Sequence, residues 1–168
     1  VQSVTEALEQ FDTQGAGLQI ASFLDTMSNW YVRRSRKRFW RGDVAAFATL
    51  HEVIETITRL MAPIVPFITE RVWQDVIVPV APDAADSVHL TDWPEAKTEY
   101  IVEGLAERVD LARRITELGR AARAEAKVRT RQPLRRALIA SSLHTTLGED
   151  LRADVCEELN ILSPGSLS

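Results

Sequence analysis

Residues 29–61, NWYVRRSRKRFWRGDVAAFATLHEVIETITRLM, carry two amphipathic patterns meeting at Gly42 and Asp43. In the second, Phe47, Leu50, Ile54, Ile57 and Met61 recur at intervals of three and four. That spacing sets large apolar side chains along one helix face for about four turns. Gly42 suits the end of one helix, and Asp43 is a good acceptor for the unpaired amides that open the next. Helices joined by so short a loop lie antiparallel. The first of them is predicted from about Leu18 to Trp40, with Ile20, Leu24, Met27 and Tyr31 as its stripe and Phe23 and Trp30 on its flank.

The end of that first helix is cationic. Arg33, Arg34, Arg36, Lys37, Arg38 and Arg41 follow one another with no carboxylate between Arg33 and Arg41, and aromatics close both sides. At about 100° per residue, Arg33, Arg36, Lys37 and Trp40 fall away from the apolar stripe, whereas Arg34 and Arg38 continue it. The first set is predicted to face a partner. Arg34 and Arg38 are predicted to be structural, either projecting past the packed region or needing carboxylates, because an unpaired buried guanidinium is costly.

Working outward, Val4, Leu8 and Phe11 give helical spacing within Val1 to Gln14, which opens without a cap and reads as the end of something larger. Gly15 and Gly17 are expected to loosen the chain before the basic helix. Past the clear helix, Pro66 suits the first position of a third, with Ile68, Val72, Trp73 and Val76 inward. Residues 79–98 hold Pro79, Pro82 and Pro94 and no helical period, so they form a crossover in which Ser87 to Leu90 is a candidate extended piece. A long helix from about Glu95 or Glu99 to Ala126 is predicted to turn Leu105, Val109, Ala112, Ile115, Leu118 and Ala122 inward. Leu134 to Ala140 is a candidate strand, and a short helix returns over Leu147 to Leu159 on Leu151, Val155 and Leu159. The fold class is mainly α, a helical bundle with a small α/β piece at the C-terminal end.

A formal net charge of −4 hides a polarised distribution. A second basic cluster lies in residues 113–136: Arg113, Arg114, Arg120, Arg123, Lys127, Arg129, Arg131, Arg135 and Arg136, accompanied there only by Glu117 and Glu125. Outside the two clusters, 5 basic residues face 22 acidic ones, a net of −17. An acidic body with two basic patches favours oriented binding of a polyanion, because the remainder repels misdocked phosphates. Arg120, Arg123, Lys127, Arg129 and Arg131 are the candidate phosphate contacts of the second patch, although cations near a helix C-terminus also suit the helix dipole.

Other chemistries lack their residues. There is no Gly-x-x-x-x-Gly-Lys or Gly-x-Gly-x-x-Gly phosphate loop, and His51, His89 and His144 are isolated from one another. Cys156 is the sole cysteine, so neither an intramolecular disulfide nor a cysteine-rich zinc site can be assembled. No catalytic, cofactor or metal residue is expected. No apolar run approaches the ~20 residues that span a bilayer, and the first residues lack a secretory pattern, so a cytoplasmic protein without a membrane partner is expected.

Four stretches, NWYVRRSRKRFW, GDVAAFATLHEVIETITRLMAPIVPFITERVW, SVHLTDWPEA and LGRAARAEAKVRTRQPL, resemble in order and spacing the region after the catalytic core of isoleucyl-tRNA synthetases. The resemblance covers about residues 1–140. It implies an anticodon-binding helical domain over 1–140, with 1–17 entering from a catalytic core and 141–168 beginning a C-terminal junction. It also implies, as partners, the anticodon arm of tRNA(Ile) and the catalytic and editing domains of the same polypeptide. The family's His-Ile-Gly-His and Lys-Met-Ser-Lys-Ser signatures are absent, so ATP and Mg²⁺ would belong to the parent enzyme, and the residues present read as a non-catalytic fragment. A valyl-type synthetase and a helical protein-interaction module with a basic docking helix are the alternatives.

Overall fold

The computed structural model describes residues 1–139 and 146–162, and within them the chain is helical. It forms two compact units, Val1–Thr98 and Glu99–Ser168.

In the first unit, α1 (Gln2–Glu9) leads into α2 (Thr13–Thr26). The Asp12 carboxylate accepts from the Gly15 amide at 2.8 Å, and this cap starts the helix ahead of the two glycines. Gly15 and Gly17 therefore lie inside the helix and do not loosen it. A π-helical segment, Met27–Val32, connects α2 to α3 (Arg33–Trp40). Gly42, at φ 70°, then ends the run in the left-handed conformation that glycine adopts without penalty. Asp43 caps α4 (Val44–Met61) by accepting from the Ala46 amide.

The large apolar residues of α4 serve two cores. Ile57, Leu60 and Met61 join Val4, Ala7, Ala16 and Ile20, whereas Ile54 and Ala62 join Trp73, Ile77 and Val88. A helix used from two sides explains why residues 50–57 are all half-buried. Phe47 is half-exposed and meets Phe39, their ring centroids 5.1 Å apart. Phe11, expected on the stripe of α1, is exposed at φ 59° in the turn that ends that helix.

Pro66 opens α5 (Pro66–Val72), as its sequence position predicts, and a second π-helical segment follows at Trp73–Ile77. The inward set is Thr69, Trp73 and Ile77, while Ile68 and Val76 point outward. Thr69 is tolerated inside because its hydroxyl donates to the Val65 and Pro66 carbonyls at 3.0 Å. The Trp73 indole donates to the Ala85 carbonyl at 2.8 Å and so holds the crossover. Glu70 grips the same crossover, accepting from the Ser87 hydroxyl at 2.7 Å and the Val88 amide at 3.1 Å; these donors, Ser87 foremost, keep its carboxyl below the usual range. Val88–Leu90 is a 3₁₀ turn and not an extended piece.

In the second unit, α6 (Leu105–Glu125) begins later than its sequence suggests, after Gly104 at φ 70°. Its buried stripe is Ala112, Ile115, Thr116 and Arg123, with Leu105 and Leu118 substantially exposed and Ala122 outward. It packs on α7 (Glu149–Leu159), whose Val155, Cys156 and Leu159 are buried. Gly119 permits the close approach: a Cβ there would lie 2.5 Å from a Leu159 methyl carbon. Burial pushes the Cys156 thiol above its ordinary pKa. Over the described part of the strand expected at Leu134 to Ala140 there are isolated bridge positions, Leu134, paired parallel with Ile161, and Ala137, and no strand occurs among the described residues. Ala140 and His144 lie outside the described residues.

Candidate nucleic-acid interface

The basic helix is placed by its π-helical segment. A π turn accommodates one residue more than an α turn, so the face presented after it is offset by one position. The stripe Ile20, Leu24, Met27, Tyr31 therefore continues through Ser35 and Phe39, not through Arg34 and Arg38. Ser35 is buried, and Phe39 packs edge-on to Tyr31 with ring centroids 6.5 Å apart. The Tyr31 hydroxyl donates to the Ala46 carbonyl at 3.3 Å, tying this face to α4.

The cations then fall into distinct environments. Arg34 is half-buried with its guanidinium 5.8 Å from the Trp30 ring centre, a cation–π contact. Arg38 is exposed and its Nε donates to Asp43 at 2.8 Å, so the residue capping α4 also anchors the end of α3. Beside Arg38 the Asp43 carboxyl is held below its usual range, and Arg38 is raised in turn by that hydrogen bond. The π turn moves the buried stripe by one residue, so neither arginine continues it, while Arg38 has the carboxylate partner expected of a structural arginine. Arg33 is half-buried with its Nε donating to the Asn29 carbonyl at 2.9 Å. Arg36, Lys37 and Arg41 are exposed, and Trp40 is 84% exposed. Trp40 thus presents its indole to solvent at the end of α3.

The second patch is partly consumed inside its own unit. Arg120 pairs with Glu158, a carboxylate with only 7% side-chain exposure, and Arg113 lies 3.5 Å from Asp110. Arg123 is 5% exposed. Its guanidinium donates to the carbonyls of Arg129 at 3.0 Å, Gln132 at 2.9 Å and Leu159 at 2.5 Å. Arg123 is thus corrected from an RNA contact to an internal one, since a side chain aimed at three backbone acceptors cannot meet a phosphate. Lys127, Arg129 and Arg131 remain exposed on the loop after α6. Sequence reasoning missed Asp43 and Glu158 as partners, because Asp43 was assigned only as a helix cap and Glu158 lies 38 residues from Arg120. Arg41 went unassigned although it stands next to Trp40.

Among the described residues no group of three histidine, cysteine or acidic side chains is arranged to hold a metal, and no helix is long and apolar enough to cross a membrane. The buried His51 Nε2 has no hydrogen-bond partner.

Residues 1–138 match the family model described as the anticodon-binding domain of tRNA ligase. The chain belongs to that family. This anticodon-binding domain is 59% identical to the isoleucine–tRNA ligase of Streptomyces avermitilis over 165 residues, covering 98% of the chain and 16% of the relative. It is 58% identical to that of Cutibacterium acnes, covering 100% of the chain and 15% of the relative. The Thermus thermophilus isoleucine–tRNA ligase is 38% identical, covering 98% and 17%. The domain thus spans about a sixth of the length of these relatives. The match takes in both basic regions, α3 with its π segment and α6 with the loop that follows it.

Proposed function

We propose that the chain is the anticodon-arm-binding module of an isoleucine–tRNA ligase, holding tRNA(Ile) for ATP-dependent aminoacylation by a catalytic domain outside these residues. The observation that carries this reading is the exposed face of α3, where Arg36 and Lys37 flank an indole left 84% in solvent at Trp40. An anticodon loop offers phosphates and unstacked bases. Arginine and lysine supply charge and hydrogen bonds to the former, and an aromatic platform contributes about 1–3 kcal/mol per stacked base. Arg33 lies at the start of the same face. ATP and Mg²⁺ belong, in this reading, to the catalytic domain, and the setting is the cytoplasm. The relatives' shared name and the match over the whole chain support isoleucine over another amino acid.

The test is filter binding of the 168-residue chain to isoleucine and valine tRNA transcripts at two salt concentrations. The isoleucine transcript is expected to bind more tightly, and Arg33→Ala with Lys37→Ala is expected to flatten the log–log salt dependence by about 0.7–0.9 per contact. Unchanged affinity and slope in the double variant would defeat the assignment. Tighter binding of the valine transcript would move the domain to a valyl-type ligase. Binding that survives every RNA competitor would indicate a protein-docking helix.

A further inference from the structure

The loop after α6 ends its helix in an uneconomical way. The Val128 amide donates to the Arg123 carbonyl at 2.9 Å and the Lys127 amide to the Ala124 carbonyl at 3.1 Å, the paired bonds of a Schellman turn. The residue that must take the left-handed conformation is Lys127, at φ 54°. The same bonds close α3, from Gly42 to Phe39 and from Asp43 to Arg38, and there the position is filled by glycine. Lysine carries a Cβ penalty that glycine avoids. The helix dipole rewards a cation anywhere in the last turn, so it does not account for a lysine at this one strained position.

The backbone beyond Lys127 is tied down from within. Arg123 binds the carbonyls of Arg129 and Gln132, Asn160 donates from Nδ2 to the Arg131 carbonyl at 2.8 Å, and the Gln132 amide donates to Arg129 at 2.9 Å. The third Arg123 acceptor, Leu159, anchors the clamp to the end of α7. With these carbonyls engaged inside, the side chains of Lys127, Arg129 and Arg131 are left exposed on a held backbone.

We infer that residues 127–131 form a prepositioned loop for the RNA sugar–phosphate backbone, with Lys127, Arg129 and Arg131 as contacts and buried Arg123 as the positioning residue behind them. This rests on the RNA-binding reading above and adds a second contact independent of α3. A backbone fixed before binding leaves less freedom to be lost on association, and cations held on such a loop can meet phosphates without reading bases.

The test measures binding of a hairpin carrying the anticodon stem and loop of an isoleucine tRNA to the full 168-residue chain across a salt series, with thermal melting of each variant. Lys127→Gly is expected to raise the melting temperature while weakening binding about threefold and lowering the salt slope by about 0.7–0.9, the loss of one phosphate contact. Arg129→Ala with Arg131→Ala is expected to remove about twice that slope. Arg123→Lys keeps a buried cation but lacks the fork, and is expected to weaken binding in the intact loop and to add nothing once the three loop cations are gone. The inference is overturned if Lys127→Gly stabilises the chain with affinity and slope unchanged, or if Arg123→Lys weakens binding equally in the neutralised loop. Silent loop variants alongside a lowered slope in Arg33→Ala/Lys37→Ala would remove the loop and leave the anticodon-arm reading standing. Silence in both sets would remove that reading itself.

Discussion

Inserting one alanine between Val32 and Arg33, where the Met27–Val32 π segment meets α3, should test how the basic helix is set. The π segment already takes up one extra residue, so a second turns everything after it by about 100° against α2. Ser35 then leaves the packed face and Arg34 enters it. Phe39 moves away from Tyr31 and from Phe47, aromatic contacts now at 6.5 and 5.1 Å. Each such pair is worth about 0.5–1.5 kcal/mol beyond its burial, and a guanidinium turned against the core adds a desolvation cost, so about 3 kcal/mol should be lost. For a chain of 168 residues that corresponds to a fall of about 6–12 °C in melting temperature. Circular dichroism at the helix band during heating measures it, and tRNA binding should fall in the same variant because Arg36, Lys37 and Trp40 rotate with the helix. An insertion variant that melts within about 2 °C of the intact chain would show that the packed face of α3 is not set by its register through the π segment.

Two further outcomes follow from side chains inside the first unit. Trp73→Phe removes the indole donor to Ala85 and part of a nearly buried ring, and should cost about 1–3 kcal/mol in urea unfolding, with a loss under about 0.5 kcal/mol counting against the crossover's dependence on that bond. Asp43 and Glu70 both have carboxyls held below their usual range, so the folded chain binds fewer protons than the unfolded chain around those values. Their contribution is complete above the unfolded carboxylate pKa of about 4 and is lost as pH falls through the lower folded values. The urea midpoint should therefore fall on acidification below about pH 4, and Asp43→Asn with Glu70→Gln should shrink that fall; an identical acid profile in the double variant would refute the assignment.

Helix existence was legible because periodicity, Pro66 and the Gly42–Asp43 joint are local signals. Register was not. Both π segments, Met27–Val32 and Trp73–Ile77, shift the inward face by one position, from Arg34 to Ser35 and from Val76 to Ile77. A wheel drawn at constant 100° carries the pattern straight through them. Thr58, Thr69 and Thr116 compounded the error, since each is buried while its hydroxyl returns to a backbone carbonyl of its own helix. In α6 the buried stripe ends on an arginine, so a reading that turned the arginines of this helix outward placed Leu118 inside and Arg123 outside, the reverse of what is found.

The same exchange governs which cations are available to RNA. Composition counts fifteen basic residues in the two clusters as one surplus, but folding allocates them individually. Arg38 is taken by the cap of α4 and Arg120 by Glu158, whereas Arg123 is taken by three carbonyls. Each of these acceptors is supplied by packing or by a turn, so cluster density alone overstates the phosphate-binding surface. The exposed cations of the clusters include Arg36 and Lys37 on α3, Arg41 just after it, Lys127, Arg129 and Arg131 on the loop, and Arg114, Arg135 and Arg136. Because the rest of the chain is strongly acidic, weak binding elsewhere is opposed, and the salt slope should count cations that stay exposed more closely than it counts the clusters.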